Sequence, residues 1–292
     1  MSTKKKIIVI VGPTASGKSE FAVKLAKNIN GEIISADSRQ IYKGLDIGTA
    51  KITKKEMQGV KHYCLDIASP KKRLSIVDWK KCAEDAITTI YRSDETPIVV
   101  GGTAFYIKAL VDNLALPQVP PNPLLRKKLE KKSAEELFKI LRKKDSARAR
   151  TIERKNKRRL IRALEIVKAL GKVPKLKRKQ KYDAVFIGIT RNPKELKKRI
   201  EQRINQMLKK GLIQEVAALK KSGISWKRIY EFGFEYKYPA LYLQKKISRE
   251  ELKEMLLKES LDYVRRQMVW WKKDKRIRWI QPKDFLKSSL KV

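Results

Sequence analysis

The residues from Gly12 to Ser19 read GPTASGKS and match the phosphate-binding pattern GxxxxGK[ST]. They stand between an apolar, β-branched run and an amphipathic stretch, which is the strand–loop–helix setting that the pattern requires. In such a loop the backbone amides and the helix N-terminus face the phosphate oxygens. We expect Lys18 to reach the outer phosphate and the hydroxyl of Ser19 to bind Mg²⁺. The predicted phosphate site is Gly12, Pro13, Thr14, Ala15, Ser16, Gly17, Lys18 and Ser19.

The loop leaves the identity of the polyphosphate open. A diphosphate fits its amides as well as a triphosphate, and nothing in residues 12–19 recognises an adenine base. No acidic residue ends the later apolar run PIVV, so the carboxylate that motor ATPases carry after the corresponding strand is missing there. The class of motor ATPases is therefore disfavoured.

Asp37 follows a second apolar run, EIISADS at 32–38, and a carboxylate at that place has three possible roles. It can hold Mg²⁺ through water, as in nucleotide hydrolases. It can act as a general base toward an acceptor nucleophile, as in small-molecule kinases. It can also cap the turn that begins with Ser38. The residues themselves leave all three roles open.

The alternation of apolar runs with amphipathic stretches predicts an α/β fold, a parallel P-loop-type sheet flanked by helices. Runs at 7–11, 32–38, 97–100 and 184–190 supply strands, and RIRWI at 276–280 supplies a last one. Ligands bind at the carboxyl ends of the strands in such sheets. The phosphate loop, Asp37 and the segment Gly101-Gly102-Thr103 all follow strands, so we expect them to converge on one site.

A proline-rich linker, LPQVPPNP at 116–123, marks a change of character in the chain. From residue 121 to residue 183 there are 24 Lys and Arg against 7 Asp and Glu, a net charge of +17. The pattern there is helical throughout, with Ser133 and Glu136 as a capping box. We predict an all-helical, basic insertion at 117–183 in a core formed by 1–116 and 184–292.

The whole chain of 292 residues carries 71 Lys and Arg against 31 Asp and Glu, a net charge of +40. A polyanion such as RNA or DNA is the leading partner for such an excess, and a lysine-rich proteome is the alternative. The two cysteines, Cys64 and Cys82, and the single His62 do not suffice for a zinc site, and we expect them to be structural. No signal peptide and no apolar run of membrane-spanning length are evident, so we expect a cytoplasmic protein.

Several segments of the chain resemble the tRNA dimethylallyltransferases, also called tRNA isopentenyltransferases. In chain order they are GPTASGKS, ISADSRQIYKGLDIGTAK, HYCLDI, GGTAFYIKAL, NKRRLIRALEIV, RIEQRINQMLKKGLIQEV and RRQMVWW. The resemblance covers nearly the whole chain. The stretch from Asp37 through DIGTAK is more specific than the phosphate loop, because other P-loop families do not carry it.

The resemblance implies a transferase rather than a nucleotide hydrolase. Members of this family move a dimethylallyl group from dimethylallyl diphosphate to the N6 amine of the adenosine just 3′ of the anticodon of tRNA. They use Mg²⁺, and their P-loop holds the leaving diphosphate. The implied partners are the anticodon stem-loop of tRNA and dimethylallyl diphosphate, without a membrane, and we expect a monomer.

The same resemblance assigns roles to single residues. Asp37 would take the proton from the adenine amine, Lys18 would neutralise the departing diphosphate, and Thr103 would contact both sides of the reaction. The adenine has to leave its stack to reach them. The implied tRNA contacts are Asp37, Ser38, Arg39, Gln40, Thr103, Arg126, Arg158, Arg159, Leu160, Ile161 and Arg162.

The chain departs from the family pattern at a few positions. A stretch that resembles TRQYAKRQ in the family reads SLDYVRRQ here, with Leu261 in place of an arginine. The expected GY is Gly233 followed by Phe234. The family arginines that clamp the phosphates have Arg228 as their candidate in this sequence. The zinc finger of eukaryotic members is absent, as the two cysteines require.

Two other function classes remain as alternatives. A P-loop kinase of a small metabolite or nucleotide would share Lys18, Ser19 and Asp37, but it would not need the basic insertion. An RNA-binding protein with an inactive P-loop would need the insertion alone. The intact set Lys18, Ser19, Asp37 and Thr103 argues against this last class.

Overall fold

The computed structural model describes residues 4–175 and 179–282. They divide into two compact units, the first made by the chain up to Asn113 and from Gln180 onward, the second by Leu114–Lys179. The insertion predicted at 117–183 differs from the second unit by a few residues at each end, and Asp183 already lies in a strand. Within the described ranges, no helix has the length and apolar character needed to span a membrane.

The first unit is built on a parallel sheet of six strands among the described residues. They are β1 (Lys6–Val11), β2 (Gly31–Ser35), β3 (His62–Tyr63), β4 (Thr96–Val100), β5 (Asp183–Ile189) and β6 (Ile277–Ile280). Their order in the sheet is β3-β2-β4-β1-β5-β6, and every neighbouring pair is parallel. The predicted α/β fold and the predicted last strand are thereby confirmed. The sequence did not predict β3, whose two residues are too few to show a period.

Side chains of alternate residues in β1 enter different cores, as the period of two in a strand requires. Ile7, Val9 and Val11 belong to one hydrophobic cluster, whereas Ile8 and Ile10 belong to another on the opposite face of the sheet. Both sets are almost completely buried. A strand that is apolar on both faces needs helices on both faces of the sheet. β1 lies between β4 and β5 in the interior of the sheet, so the phosphate loop that follows it lies away from the two edge strands.

Some helices of the first unit pack on the sheet, and others pack on one another. They are α1 (Lys18–Asn28), α2 (Lys54–Met57), α3 (Ile76–Arg92), α4 (Ala104–Val111), α9 (Pro193–Lys209), α10 (Leu212–Lys221), α11 (Trp226–Glu231), α12 (Phe234–Leu243) and α13 (Arg249–Trp271), where α5 to α8 belong to the second unit. A further cluster packs α9 against α13 through Leu196, Ile200, Leu252 and Leu256. This packing holds the long α9 and α13 rigidly enough to carry side chains to a site.

The second unit consists of α5 (Pro123–Glu130), α6 (Ala134–Lys144), α7 (Ser146–Thr151) and α8 (Lys157–Leu170). The capping box predicted at Ser133 and Glu136 is present at the start of α6. Two acids, Asp145 and Glu165, are buried in this unit, and the carboxylate of Glu165 accepts hydrogen bonds from Arg126 Nε and Nη2, both at 2.7 Å. It also accepts one from the backbone amide of Asn122 at 2.8 Å, which ties the start of α5 to α8.

Replacing Glu165 with alanine is expected to loosen the second unit selectively. The change leaves two arginine donors and the Asn122 amide without their acceptor, and loss of one partner from a buried pair costs about 3 kcal/mol. Hydrogen–deuterium exchange on the full chain should then show faster exchange in α5 and α8, with the strands of the sheet unchanged. Glu153→Ala is the control, because Glu153 and Arg159 form a solvent-exposed ion pair. Such pairs contribute less than about 1 kcal/mol to the free energy of unfolding. Equal exchange in the two variants would contradict the structural role of Glu165.

Candidate active site

The carboxyl ends of β1, β2, β4 and β5 meet at one edge of the sheet. The phosphate loop follows β1, Asp37 lies two residues beyond the end of β2, and Thr103 precedes α4 just after β4. The predicted strand at 32–38 thus ends at Ser35, and Asp37 stands in the connection after it. Thr14, Asp37 and Thr103 line a single cavity, so the predicted convergence of these three segments is confirmed.

The phosphate loop sits very close to β5. Gly12 has a φ of 143°, and a Cβ at this position would lie 2.4 Å from the carbonyl oxygen of Ile189, so only glycine fits. Lys18 is the first residue of α1, and its ammonium donates a hydrogen bond to the carbonyl of Pro13 at 2.6 Å. Burial and, to a smaller extent, the charge of Arg203 lower the pKa of Lys18 to about 7, while Asp37 opposes both. Such a lysine is poised to bind an anion, which would restore its charge.

Two arginines that the sequence analysis did not identify hold the loop from outside. Arg191 follows β5 and donates from Nε to the carbonyl of Ser16 at 2.7 Å. Arg199 on α9 donates from Nε to the carbonyl of Ala15 at 2.9 Å. Arg191 also pairs through Nη1 with Glu195, whereas Arg199 lines the phosphate-side space and adds positive charge there beyond that of Lys18. The rule that ligands bind at strand ends, applied to β5, would have pointed to Arg191.

Arg203 lies one turn after Arg199 on α9, so both side chains share a face of the helix. The spacing was present in RIEQR, but only the structure shows which face meets the loop. Arg203 donates to the carbonyl of Thr49 at 3.4 Å. Burial lowers its pKa, and the charges of Glu235 and Asp37 oppose that effect.

A cavity of about 500 Å³ opens on the phosphate side of the loop. Its wall combines the start of α1 with α9 and the segment around Ile47, and its five lysine and arginine side chains outnumber the carboxylates of Glu20, Asp46 and Glu56. The residues that matter most for an anion are Lys18, Ser19, Arg199, Arg203 and Lys210, whereas Lys51 is paired with Asp46 and Asp66. A ligand with two or more phosphate groups has the room and the charge to be held here.

A second cavity, of about 320 Å³, holds the carboxylates. Asp37 accepts hydrogen bonds on Oδ1 from the amides of Arg39 at 2.8 Å and Gln40 at 3.4 Å. Thr103 accepts one from the amide of Ser38 at 3.3 Å, which joins the segment after β2 to the segment after β4. Asp37 therefore does cap the turn, and it still has Oδ2 for a ligand in the cavity. The wall is completed by Thr14, Ser38, Arg39, Gly48, Thr49, Arg203, Phe232, Gly233, Phe234, Glu235, Tyr236, Tyr263 and Arg266.

Gln267 on α13 fastens the loop to the segment after β4. It is buried, accepts from the amide of Thr14 on Oε1 at 2.8 Å, and donates from Nε2 to the carbonyl of Gly102 at 3.2 Å. A Cβ at Gly102 would lie 2.3 Å from Nε2 of Gln267, so this position cannot carry a side chain without displacing the link. The sequence analysis assigned no role to Gln267.

One carboxylate fixes the start of the segment DIGTAK at residues 46–51. Glu215 on α10 accepts hydrogen bonds from three successive amides, those of Asp46, Ile47 and Gly48, at 3.0, 2.7 and 3.1 Å. The hydroxyl of Tyr236 donates to the same carboxylate at 2.8 Å. Because Ile47 lines the phosphate-side cavity and Gly48 the carboxylate-side one, Glu215 fixes a piece of backbone that belongs to both.

Some predicted contacts lie elsewhere in the structure. Arg228, the candidate phosphate clamp, donates to the carbonyls of Pro70 and Lys72 and pairs with Glu231, away from the phosphate loop. That prediction is wrong, and Arg191 and Arg199 occupy the place instead. Gln40 turns its amide toward the carbonyls of Thr49 and Ala50 and does not line the carboxylate-side cavity.

The residues of the second unit that were predicted to contact RNA differ in solvent exposure. Leu160 and Ile161 are buried in its hydrophobic core, so their side chains do not face solvent, and RNA contact at these two positions stays a prediction for the backbone. Apolar residues occur at these positions because α8 needs an inward face. Arg158 and Arg159 are exposed, and Arg126 and Arg162 both contact the carboxylate of Glu165. RNA contact by these four arginines stays a prediction.

The expected structural role of His62 and the two cysteines agrees with their surroundings. His62 Nδ1 lies 2.8 Å from the carbonyl oxygen of Val60, and burial lowers its pKa. Cys64 and Cys82 are free thiols that lie side by side, the first buried in the main core. None of the three lines either cavity.

Comparison with known proteins identifies one family throughout. The sequence model of the IPP transferase family matches residues 40–274. A tRNA dimethylallyltransferase of Anoxybacillus flavithermus is 37% identical over 96% of this chain and 91% of its own length. Another, of Pelotomaculum thermopropionicum, is 39% identical over 97% of this chain and 92% of its own length.

Solved structures agree with the sequence relatives. The tRNA isopentenylpyrophosphate transferase of Bacillus halodurans superposes with a TM-score of 0.72 at 37% identity, over 96% of this chain and 90% of that one. A eukaryotic dimethylallyltransferase acting on tRNA superposes with a TM-score of 0.80 at 26% identity, over 95% of this chain and 74% of that one.

Replacing Gln267 with alanine is expected to weaken phosphate binding by about tenfold. The change leaves the Thr14 amide without this acceptor, and an unsatisfied buried donor costs about 1–3 kcal/mol. Calorimetric titration with inorganic diphosphate and Mg²⁺ measures the effect. Gln214→Ala on the exposed side of α10 is the control. An affinity equal to that of the control would show that the link does not shape the loop.

Proposed function

Because the chain belongs to the IPP transferase family, we propose that it transfers a dimethylallyl group from dimethylallyl diphosphate to tRNA. The acceptor is the N6 amine of the adenosine that follows the anticodon on its 3′ side, and the second product is diphosphate. The chain is therefore a prenyltransferase that modifies tRNA. A relative that matches over 98% of this chain and 95% of its own length is named a tRNA dimethylallyltransferase, and a neighbour of the same fold is a dimethylallyltransferase acting on tRNA.

The observation that carries the proposal is the division of the site into two chemically different cavities. One has the phosphate loop and the basic side chains, and the other has Asp37, Thr103 and aromatic walls. Arg203 lines both. A phosphoryl transfer to a small acceptor would need the acceptor beside the outer phosphate. A prenyl transfer instead needs a diphosphate on one side and a nucleobase on the other, and this arrangement supports it.

The phosphate-side residues assist the departure of diphosphate. As the allylic C–O bond breaks, negative charge grows on the bridging oxygen, and Lys18, Arg199 and the loop amides neutralise it. The pKa of Lys18, lowered to about 7 by burial, rises again next to such an anion, so the lysine is protonated when it is needed. The allylic carbon tolerates positive character, so assisting the leaving group is the main task of the protein.

Ser19 is the residue that would hold Mg²⁺. Its side chain is exposed at the start of α1 and lines the phosphate-side cavity. Among residues 4–175 and 179–282 no cluster of three or more His, Cys, Asp and Glu could hold a metal ion. The single hydroxyl of Ser19 fits Mg²⁺, because this ion keeps several waters and takes its other ligands from substrate phosphates. When bound, the ion supplies positive charge to the diphosphate oxygens.

Asp37 is the proposed base. An exocyclic adenine amine is a weak nucleophile, so removal of its proton as the N–C bond forms lowers the barrier. Amides of Arg39 and Gln40 fix one oxygen of Asp37 and leave the other to receive the proton. Atoms and charges balance in this step. The N6 nitrogen forms a bond to the allylic carbon and loses one proton to Asp37, and diphosphate leaves with the electron pair of the broken C–O bond.

The net charge of +40 supports RNA as the macromolecular substrate. In the second unit Arg158 and Arg159 stand exposed at the start of α8, where a phosphate backbone can reach them. The proposed unit of function is a monomer. A kinase of a small metabolite does not bind a polyanion, so the net positive charge gives the kinase alternative less support.

Transfer of radiolabel from dimethylallyl diphosphate to tRNA, with Mg²⁺ present, tests the function itself. In that assay Asp37→Asn is expected to lower turnover by about 10²–10⁴-fold, which is the usual contribution of a general base. Binding of tRNA to the variant, measured by filter retention, should stay unchanged, because the amide has the shape of the acid. Unchanged turnover would remove Asp37 as the base, and phosphate transfer from ATP by the wild type would favour a kinase.

Replacing Arg199 with alanine is expected to raise the KM for dimethylallyl diphosphate about tenfold or more. The change removes both a cation and the hydrogen bond that fixes the carbonyl of Ala15, and charge-assisted hydrogen bonds contribute about 1.5–3 kcal/mol. Arg228→Ala is the matched control, since its guanidinium is bound far from the phosphate loop. A larger effect from Arg228 than from Arg199 would restore the assignment made from the sequence.

A further inference from the structure

Glu235 is a carboxylate in the wall of the carboxylate-side cavity that the proposed reaction does not use. It is the second residue of α12 and lies beside Gly233, where an added Cβ would be 3.1 Å from its Oε2. The same side chain borders a small void together with Thr14 and Arg203. Glu235 therefore faces the space in which Asp37 and Thr103 would meet the adenine.

The carboxylate of Glu235 has no side-chain partner among residues 4–175 and 179–282. Its hydrogen bond comes from its own backbone amide. The neighbouring hydroxyl of Tyr236 donates to Glu215, and the guanidinium of Arg203 donates to Thr49. A carboxylate that faces a cavity and accepts no hydrogen bond from another side chain has acceptor capacity left for a ligand in that cavity.

The charged and titratable groups around Glu235 come from three elements. They are Asp37 and Arg39 from the segment after β2, Arg203 from α9, and Tyr263 and Arg266 from α13. Burial is the strongest influence. The pKa of Glu235 is raised to about 7, because burial and the charge of Asp37 outweigh the hydrogen bond from its own amide and the charges of Arg203 and Arg39. The side chain is therefore available as a carboxylic acid below neutral pH and as a carboxylate above it.

A carboxylic acid offers one donor and one acceptor side by side in a plane. Adenine offers the matching pair on its Watson–Crick edge, where the N6 amine donates and N1 accepts. Flipped bases are read on this edge in other enzymes that act on extruded bases. The amine has two hydrogens, so one can be held by Glu235 while the other goes to Asp37.

We propose that Glu235 binds the target adenine directly, donating a hydrogen bond to N1 and accepting one from the N6 amine. The inference rests on the proposed function and names a further substrate contact for it. Glu235 positions the ring so that the remaining N6 hydrogen points to Asp37. The acid keeps its own proton throughout, so the balance of the transfer is unchanged.

Two variants of Glu235 separate this role from a structural one. With dimethylallyl diphosphate saturating, Glu235→Ala should lower kcat/KM for an anticodon stem-loop about 10- to 100-fold, the usual value of a two-point contact to a base. Glu235→Gln keeps a donor and an acceptor and should stay within about threefold of the wild type at pH 6.5. Glu254→Gln, an exposed acid on α13, is the matched control.

The pH profile gives the readout that a structural role would not move. For the wild type, kcat/KM for RNA should fall above pH 7, because ionisation removes the donor to N1. The glutamine variant cannot ionise, so its profile should lack this alkaline fall. An alkaline fall shared by the wild type and Glu235→Gln would overturn the proposal.

A stem-loop with 1-deazaadenosine at the target position removes N1 and keeps the amine. The wild type should lose about as much kcat/KM with this RNA as Glu235→Ala loses with the natural one, and the two changes together should cost no more than either alone. Fully additive losses would overturn the proposal. A wild type that labels neither RNA would contradict the proposed function itself, which keeps the two failures distinct.

Discussion

Two positive side chains, Lys18 and Arg203, are withdrawn from bulk water at the same edge of the sheet, and the site depends on how this charge is balanced. Burial lowers the pKa of both, and Arg203 lowers that of Lys18 further. Asp37 opposes the effect from the carboxylate-side cavity, and Glu235 does so for Arg203. On the phosphate side five lysine and arginine side chains outnumber three carboxylates, so an anionic ligand completes the balance. The charge distribution therefore favours a diphosphate on one side and a neutral base on the other.

The geometry that maintains this arrangement comes from links between segments that are distant in sequence. Gln267 joins the phosphate loop to Gly102, Thr103 joins β4 to the segment after β2, and Glu215 fixes the backbone that lies between the cavities. Each link is a side chain that binds backbone groups, so the loops are held by rigid helices and strands. Such support keeps catalytic groups within the small tolerances that transfer chemistry needs.

The sequence alone predicted the parallel sheet, the phosphate loop, Asp37 and Thr103, because these follow from strong local patterns and from the rule for strand ends. It did not predict the roles of Arg191, Arg199 and Gln267, since helix periodicity says which side chains share a face but not what that face meets. Arg228 was chosen for its position in the chain and lies elsewhere. Leu160 and Ile161 were carried over with a basic stretch, although a helix in a small unit must bury one side.

The central claim is that the phosphate loop holds a leaving diphosphate while the acceptor base enters the other cavity. A crystal structure with a non-hydrolysable thiolo analogue of dimethylallyl diphosphate, Mg²⁺ and an anticodon stem-loop tests it most directly. We predict the diphosphate on the amides of residues 12–19 with Lys18 and Arg199, and an extruded adenine whose N6 is within hydrogen-bond distance of Asp37. A diphosphate bound away from the loop, or an adenine that remains stacked in the RNA, would contradict the account.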